Sequence, residues 1–302
     1  MDNGHALHLI DVEYLGQRRW IAACALETDD GLVVIDPGPS TSLPGLATGL
    51  AGIGATLADV RALLLTHIHL DHAGAAGTLA RDQPDLRVYV HARGAPHLID
   101  PSRLLQSAYR IYGDRMADLF GEFLPVRADR ITVLDADTTL DPGGRRIRVT
   151  HAPGHAWHHV AYLDEISGTL FAGDAAGERF PPATYVLPVT PPPDIDMAAW
   201  RATLAKLRAW QPASIFITHF GGFADAARHL DELDERLESW ATRVRASLDA
   251  PGTDEDRAAA FVTDEETALR RSVGSDVVAL YLSGGIRDSW YGLARYWRKR
   301  TG

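Results

Sequence analysis

The sequence predicts an α+β chain: two sheets lying face to face, with helices on their outer sides. Three observations carry that reading. Strand-rich stretches before Val90 and after Arg130 form two halves, each with helical segments around it. Several apolar runs stop abruptly at corners bearing His or Asp, the densest being LLLTHIHLDHAG at Leu63–Gly74. With 302 residues, 46% of them hydrophobic, the chain is long enough to bury one large core.

The elements follow in order. Arg18–Thr28 and Gly31–Gly38 are β-rich runs joined at Asp29–Asp30–Gly31, a hairpin signal. Residues 42–54 form a short, Gly-broken helix. Residues 59–67 read as a buried strand from a near-continuous apolar run, followed by a helix rich in small residues. Residues 86–91 are another strand. Arg93 to about Phe123 has helical spacing and no strand signal, so it is expected to be a helical insert. A second strand set follows at Arg130–Leu134, Arg145–His155, His158–Asp164 and Gly168–Asp174. Asp194–Trp210 is a helix with Asp at its start and Pro212 just beyond its end. Ser214–Gly222 is a strand ending in a Gly-rich loop. Helices run from Ala224 to the end, including roughly Asp254–Ser272 and Ile286–Arg300. This divides the chain into a core at 1–223, with the insert near 93–123, and a helical extension at 224–302.

Composition excludes several function classes. The net charge of −10 argues against a nucleic-acid backbone as partner, because phosphate binding wants a basic face. Cys24 is the only cysteine, so no disulfide framework or thiolate metal site is expected. The N-terminus lacks a basic segment followed by an apolar run, and no stretch reaches membrane-spanning length. A soluble, cytoplasmic protein with no membrane partner is the expectation.

The chemistry gathers at strand ends. Residues two apart on a strand share a face, so His67 and His69 are expected to project together, with Asp71 and His72 a step later where the chain turns into a helix. His155 follows a Pro-Gly turn, Asp174 follows a Gly, and His219 closes an apolar strand. Any one of these alone reads as a cap or surface residue. Together they supply five His and two Asp, enough for two metals with open positions. Imidazole and carboxylate without thiolate suit zinc, iron or manganese and argue against a purely structural zinc site. Two metals about 3.5–4 Å apart can lower the pKa of a shared water toward neutrality.

The set His67-Ile68-His69-Leu70-Asp71-His72, with His155, Asp174 and His219, resembles the metallo-β-lactamase superfamily, in the subset with the dinuclear site of glyoxalase II. The flanking words VVIDPG, APGH and FAGD match as well, and the resemblance covers roughly Leu7–Gly222. It implies an αββα sandwich of two mixed sheets with the site at one edge between them. It also implies that His67, His69 and His155 hold one divalent ion, zinc first, with iron or manganese as alternatives. Asp71, His72 and His219 would hold the second, and Asp174 would bridge them. Asp71 would in addition accept a proton or hydrogen bond from the activated hydroxide. Asp36 is expected either to orient a ligand histidine or to serve only as a turn residue before Pro37.

The insert and Glu178–Pro188 are expected to flank the mouth. Tyr109, Tyr112, Phe180, Tyr185 and Phe220 would then give an apolar wall, and Arg103, Arg110 and Arg115 could meet a carboxylate. His158 and His159, being adjacent on a strand, would point to opposite faces, so that at most one meets the site and packing is the first expectation. His151 reads as a strand-end residue, and His91 and His97, beside the insert, as surface residues first, with the mouth as the alternative. The stripe Leu230–Leu248 reads as core or as a homodimer face, and Trp290–Arg300 as an amphipathic helix packed on the body. The function that follows is metal-dependent hydrolysis of a small-molecule ester, thioester or lactone. The alternatives are a non-haem iron oxidoreductase of persulfide dioxygenase type, a phosphodiesterase or nuclease, and a non-catalytic binding protein. The seven-ligand set and the acidic charge weigh against these.

Overall fold

A computed structural model describes residues 5–301. Residues 1–4 and 302, the outer ends of the expected core and extension, lie outside the described residues. Twelve strands among the described residues form two six-stranded mixed sheets. The first holds β1 (Leu7–Asp11), β2 (Ala22–Thr28), β3 (Gly31–Ile35), β4 (Val60–Leu64), β5 (Arg87–His91) and β6 (Ile131–Leu134), in that order. The second holds β7 (Thr138–Leu140), β8 (Ile147–His151), β9 (Val160–Asp164), β10 (Thr169–Phe171), β11 (Ser214–Ile217) and β12 (Gly221–Phe223), ordered from β12 to β7.

The helices are α1 (Leu43–Gly52), α2 (Leu70–Ala73), α3 (Ala76–Asp82), α4 (Ala95–Ile99), α5 (Ser102–Tyr112) and α6 (Met116–Phe120), then α7 (Met197–Ala209), α8 (Ala226–Ser247), α9 (Asp254–Ser272), α10 (Ser275–Ser283) and α11 (Ile286–Thr301). Strand alternation sorts the core. In β2, Ala22, Cys24 and Leu26 face the second sheet, while Ala23 and Ala25 face the α1–α6 side. Helices α7–α11 share the core of the second sheet. The Leu230, Leu233, Leu237, Trp240 and Val244 stripe is buried there, as are Trp290 and Leu293 of α11.

Several boundaries differ from the sequence expectation. Ile131–Leu134 does not open the second sheet. As β6 it pairs in parallel with β5 at the edge of the first. Strand β1, the short β12 inside the Gly-rich loop, and α10 are additional elements. Strand β4 ends at Leu64, so His67 and His69 leave from the loop beyond it, and β9 begins at Val160, after both His158 and His159.

A fully buried ion pair ties the sheets together. Arg145 Nε and an Nη donate to the two oxygens of Asp164 at 3.0 and 2.8 Å, and its other Nη donates to the carbonyls of His5, Ala6 and Glu27. Arg145→Ala strands a buried carboxylate and should cost about 3–5 kcal/mol in denaturant unfolding. Burial alone would raise the Asp164 pKa, but the Arg145 and Ser167 hydrogen bonds lower it overall. A depressed folded pKa contributes stability above the unfolded carboxyl value of about 3.9 and loses it as pH falls through the folded value. Wild-type stability should therefore fall more steeply below about pH 4 than that of Asp164→Asn.

Candidate metal centre

The two sheets are joined by backbone hydrogen bonds at one end. Val160 N–H donates to Thr66 O at 2.8 Å and Ala22 N–H donates to Thr218 O at 2.8 Å. The Tyr162 hydroxyl donates to Leu65 O at 2.8 Å. These bonds bring the corner after β4, the β8–β9 loop, the turn after β10 and the turn after β11 to one place. Gly173, with φ +44°, makes the close approach feasible: a Cβ there would stand 2.5 Å from Thr66 Oγ1 and 3.1 Å from His159 Nε2.

All seven expected ligands meet there in two groups. His67 Nε2 and His155 Nε2 each lie 3.0 Å from His69 Nδ1. Asp174 Oδ2 lies 3.4 Å from His155 Nε2 and 3.9 Å from His67 Nε2. In the second group, Asp71 Oδ2 lies 3.4 Å from His219 Nε2 and 3.8 Å from His72 Nε2. The other oxygen of Asp174 reaches this group, 3.2 Å from His72 Nε2 and 3.7 Å from His219 Nε2. One carboxylate therefore spans both groups, each of which has the donor composition of a cation site.

Outer hydrogen bonds set the tautomers. His155 Nδ1–H donates to Val189 O at 2.8 Å and His219 Nδ1–H to Trp20 O at 3.0 Å. His72 Nδ1–H donates to Asp36 Oδ2 at 2.8 Å. The Thr66 hydroxyl donates to Asp36, so its oxygen accepts from His67 Nδ1–H at 3.1 Å. Four imidazoles thus turn Nε2 inward, the atom free to bind a metal or to take up a proton. His72 Nε2 and Asp174 Oδ1, 3.2 Å apart, are buried and have no hydrogen-bond partner beyond each other. Converging lone pairs and buried carboxylate oxygens require a positive charge between them.

The proton affinities differ between the two groups. Burial, with its histidine neighbours, holds His67 well below the ordinary value, and burial and His155 bring His69 down to about 3. Burial would lower His72 and His219 too. Instead Asp174, Asp71 and Asp36 raise His72 well above the usual range, and Asp71, Asp174 and Glu178 push His219 up to about 9. Asp71 and Asp174 stay ionised despite burial because of these histidines.

Asp36 is no simple turn residue. It is buried with φ +44°, and it accepts from Thr66 N–H, both threonine hydroxyls (Thr66 and Thr218) and His72. The repeated Thr-His step at residues 66–67 and 218–219 was the available signal for those hydroxyls. His159 is buried, with its ring 4.8 Å from that of His67, and accepts from Ala175 N–H at 3.3 Å; the His158 ring lies 5.4 Å from the His69 ring. Both precede β9 and both face the site, correcting the opposite-face expectation.

The expected wall is partly redistributed. Phe180 is buried, stacked on Trp20 at 5.4 Å, and Trp20 in turn meets His219 edge-on at 6.3 Å. Phe220 is buried next to His219. Tyr112 is half-buried in the field of Asp71. Tyr109 is exposed and donates to Asp114, and Tyr185 is buried against the C-terminal helices, its hydroxyl on Glu265. Neither is brought to the site, because chain position near a mouth does not set side-chain direction. Arg103, Arg110 and Arg115 are exposed on the insert, with Arg115 alone close enough to act on Tyr14 and Tyr112. Trp20 and Glu178 were not anticipated. Glu178 is a buried carboxylate with an unpartnered Oε2, raised by burial to about 8.

No helix among the described residues is long and apolar enough to cross a membrane. In sequence, the chain is 30% identical over 162 residues to the metallo-beta-lactamase fold-containing protein ST1585 of Sulfurisphaera tokodaii, spanning 53% of this chain and 60% of that one. It is 31% identical over 113 residues to a hydroxyacylglutathione hydrolase of Aeromonas salmonicida, spanning 37% of this chain and 32% of that one. The chain thus covers less than two thirds of the length of these relatives. In structure, it matches the archaeal superfamily protein ST1585 from Sulfolobus tokodaii (TM-score 0.64, 22% identity, 96% and 98% coverage). It also matches the metallo-beta-lactamase family protein TTHA1429 of Thermus thermophilus (TM-score 0.71, 21% identity, 98% and 94% coverage). The model of the metallo-beta-lactamase superfamily aligns with residues 21–219, which take in the whole seven-residue cluster. With two mixed sheets meeting at that cluster and a family match across two thirds of its length, the chain belongs to the metallo-beta-lactamase superfamily.

Proposed function

We propose that this protein is a hydrolase that uses two divalent cations, zinc first, to cleave a small ester, thioester or lactone. The observation that carries this reading is the inward convergence of four imidazole Nε2 atoms on the two oxygens of Asp174, at 3.2 to 3.9 Å, with each Nδ1 tied outward. His67, His69 and His155 would hold one cation, Asp71, His72 and His219 the other, and Asp174 both. Cations held there would supply Lewis acidity toward a carbonyl oxygen and hydroxide near neutral pH. The chain's own part is orientation. Asp36, Val189 O and Trp20 O fix the imidazole rings, and buried Phe180 and Phe220 keep water from the rear of the site. Asp71, 32% exposed at its side chain against 5% for Asp174, is the ligand carboxylate open to the mouth and accepts the hydrogen bond or proton of the attacking water. The division into a 1–223 core and a 224–302 extension belongs to the same reading, supported by α8–α11 packing on the second sheet. The lone, buried Cys24 fits a reducing, cytoplasmic setting.

The test is metal analysis of the purified chain, with turnover measured on thioesters, lactones and phosphodiesters. The expected result is two metals per chain and hydrolysis lost on chelation. Metal restored at a thousandfold excess over its Kd should stabilise the fold by about 4 kcal/mol. One iron per chain with oxygen uptake would replace the reading with a dioxygenase.

A further inference from the structure

We propose that Arg93, Trp157 and His158 form a subsite for a carboxylate carried by the substrate, beside the His67–His69–His155 group. What the subsite serves rests on the hydrolase reading; whether it binds does not. The β8–β9 loop that carries His155 inward also carries the exposed Trp157 and the half-buried His158. The His158 ring lies nearly parallel to that of His67 at 6.0 Å and edge-on to that of His69 at 5.4 Å. It is not among the side chains whose ligand atoms gather within 4.8 Å of one another, so it stands beside the cation site rather than in it.

The Nδ1 of His158 is buried with no partner, although the residue is only half-buried. An orphaned buried N–H costs more than an orphaned lone pair, which places the proton on Nε2, the ring nitrogen that is not a buried atom without a partner. Arg93 is the second group. Its guanidinium lies over the exposed Trp157 ring, 5.3 Å from the centroid, and among the described residues it has no carboxylate partner. Its backbone N–H is tied to His91 Nδ1 at 2.9 Å, which anchors the residue at the start of the insert. In a chain of net charge −10, a guanidinium held on an indole and left without an acid is set for an incoming anion. Its planar fork matches a carboxylate, and the His158 Nε2–H supplies a further donor. The favoured substrate is therefore an ester or thioester bearing a carboxylate on the part lying over this side of the site.

The test uses the full chain and two measurements. Zinc-loaded protein is assayed on mono-p-nitrophenyl glutarate and on p-nitrophenyl butyrate. Glutarate is also titrated calorimetrically into the metal-free chain. For Arg93→Leu, KM for the charged ester should rise about tenfold with kcat within about threefold, and the neutral ester should be unaffected. Glutarate affinity should fall about tenfold, Arg93→Lys should recover part of it, and His158→Phe should lose less than Arg93→Leu. Turnover of both esters with an unchanged KM ratio in Arg93→Leu sinks the subsite alone. Glutarate binding lost in Arg93→Leu, with neither ester cleaved by wild type, upholds the subsite and sinks the hydrolase reading.

Discussion

Asp174→Ala is expected to abolish two-metal occupancy and to reduce kcat/KM by more than the roughly 10–100-fold typical of partners one layer further out. Its two oxygens face different groups, 3.4 Å from His155 Nε2 on one side and 3.2 Å from His72 Nε2 on the other. Among the described residues no other carboxylate reaches both groups, since Asp71 meets only His72 and His219. Without Asp174 the second group keeps one acid for two histidines. Asp174→Asn separates charge from shape: it retains one oxygen, so it should hold one cation per chain and lose the other. Metal content by mass spectrometry, beside kcat/KM on the best panel substrate, checks both variants. Full occupancy and turnover in Asp174→Ala would remove Asp174 as the ligand shared by the two groups.

The second large effect is at Asp36. Its carboxylate accepts from Thr66 N–H at 2.8 Å on Oδ1, and on Oδ2 from Thr66 Oγ1 at 2.7 Å, His72 Nδ1–H at 2.8 Å and Thr218 Oγ1 at 3.0 Å. Every partner is a donor, so an amide must face at least one of them with its own N–H. Asn tolerates the left-handed backbone that Asp36 adopts, so Asp36→Asn tests the hydrogen bonds and charge rather than the φ of +44°. We expect roughly 10–100-fold weaker metal binding, measured by competition with a chromophoric chelator, with folding retained. Thr218→Val removes only one of the four bonds and should cost about 1 kcal/mol of stability. Metal affinity unchanged in Asp36→Asn would mean that His72 is oriented by packing alone.

Local features were legible in the chain. The helix expected at roughly Asp254–Ser272 is there, opened by a Thr253–Asp256 capping box. The αββα layering followed from where strand-rich and helical segments fall along the chain. The seven cluster residues stood out because His and Asp closing an apolar run is a short-range pattern. Pairing was not legible: Ile131–Leu134 looks the same whether it ends the first sheet or opens the second, since an edge strand's partner is chosen by packing. Side-chain direction near the mouth was equally hidden, and Tyr109 and Tyr185 went to Asp114 and Glu265 while Trp20 arrived unannounced against His219.

By itself, then, the sequence determined the secondary-structure periods, the family and the identities of the groups able to bind cations, because each is written in residues a few positions apart. Only the tertiary structure decided that two threonine hydroxyls and His72 share Asp36, and that Arg93 lies over the Trp157 ring next to His158. Those facts join residues as far as 182 positions apart, and only the closing of two sheets at one end brings them within hydrogen-bonding reach.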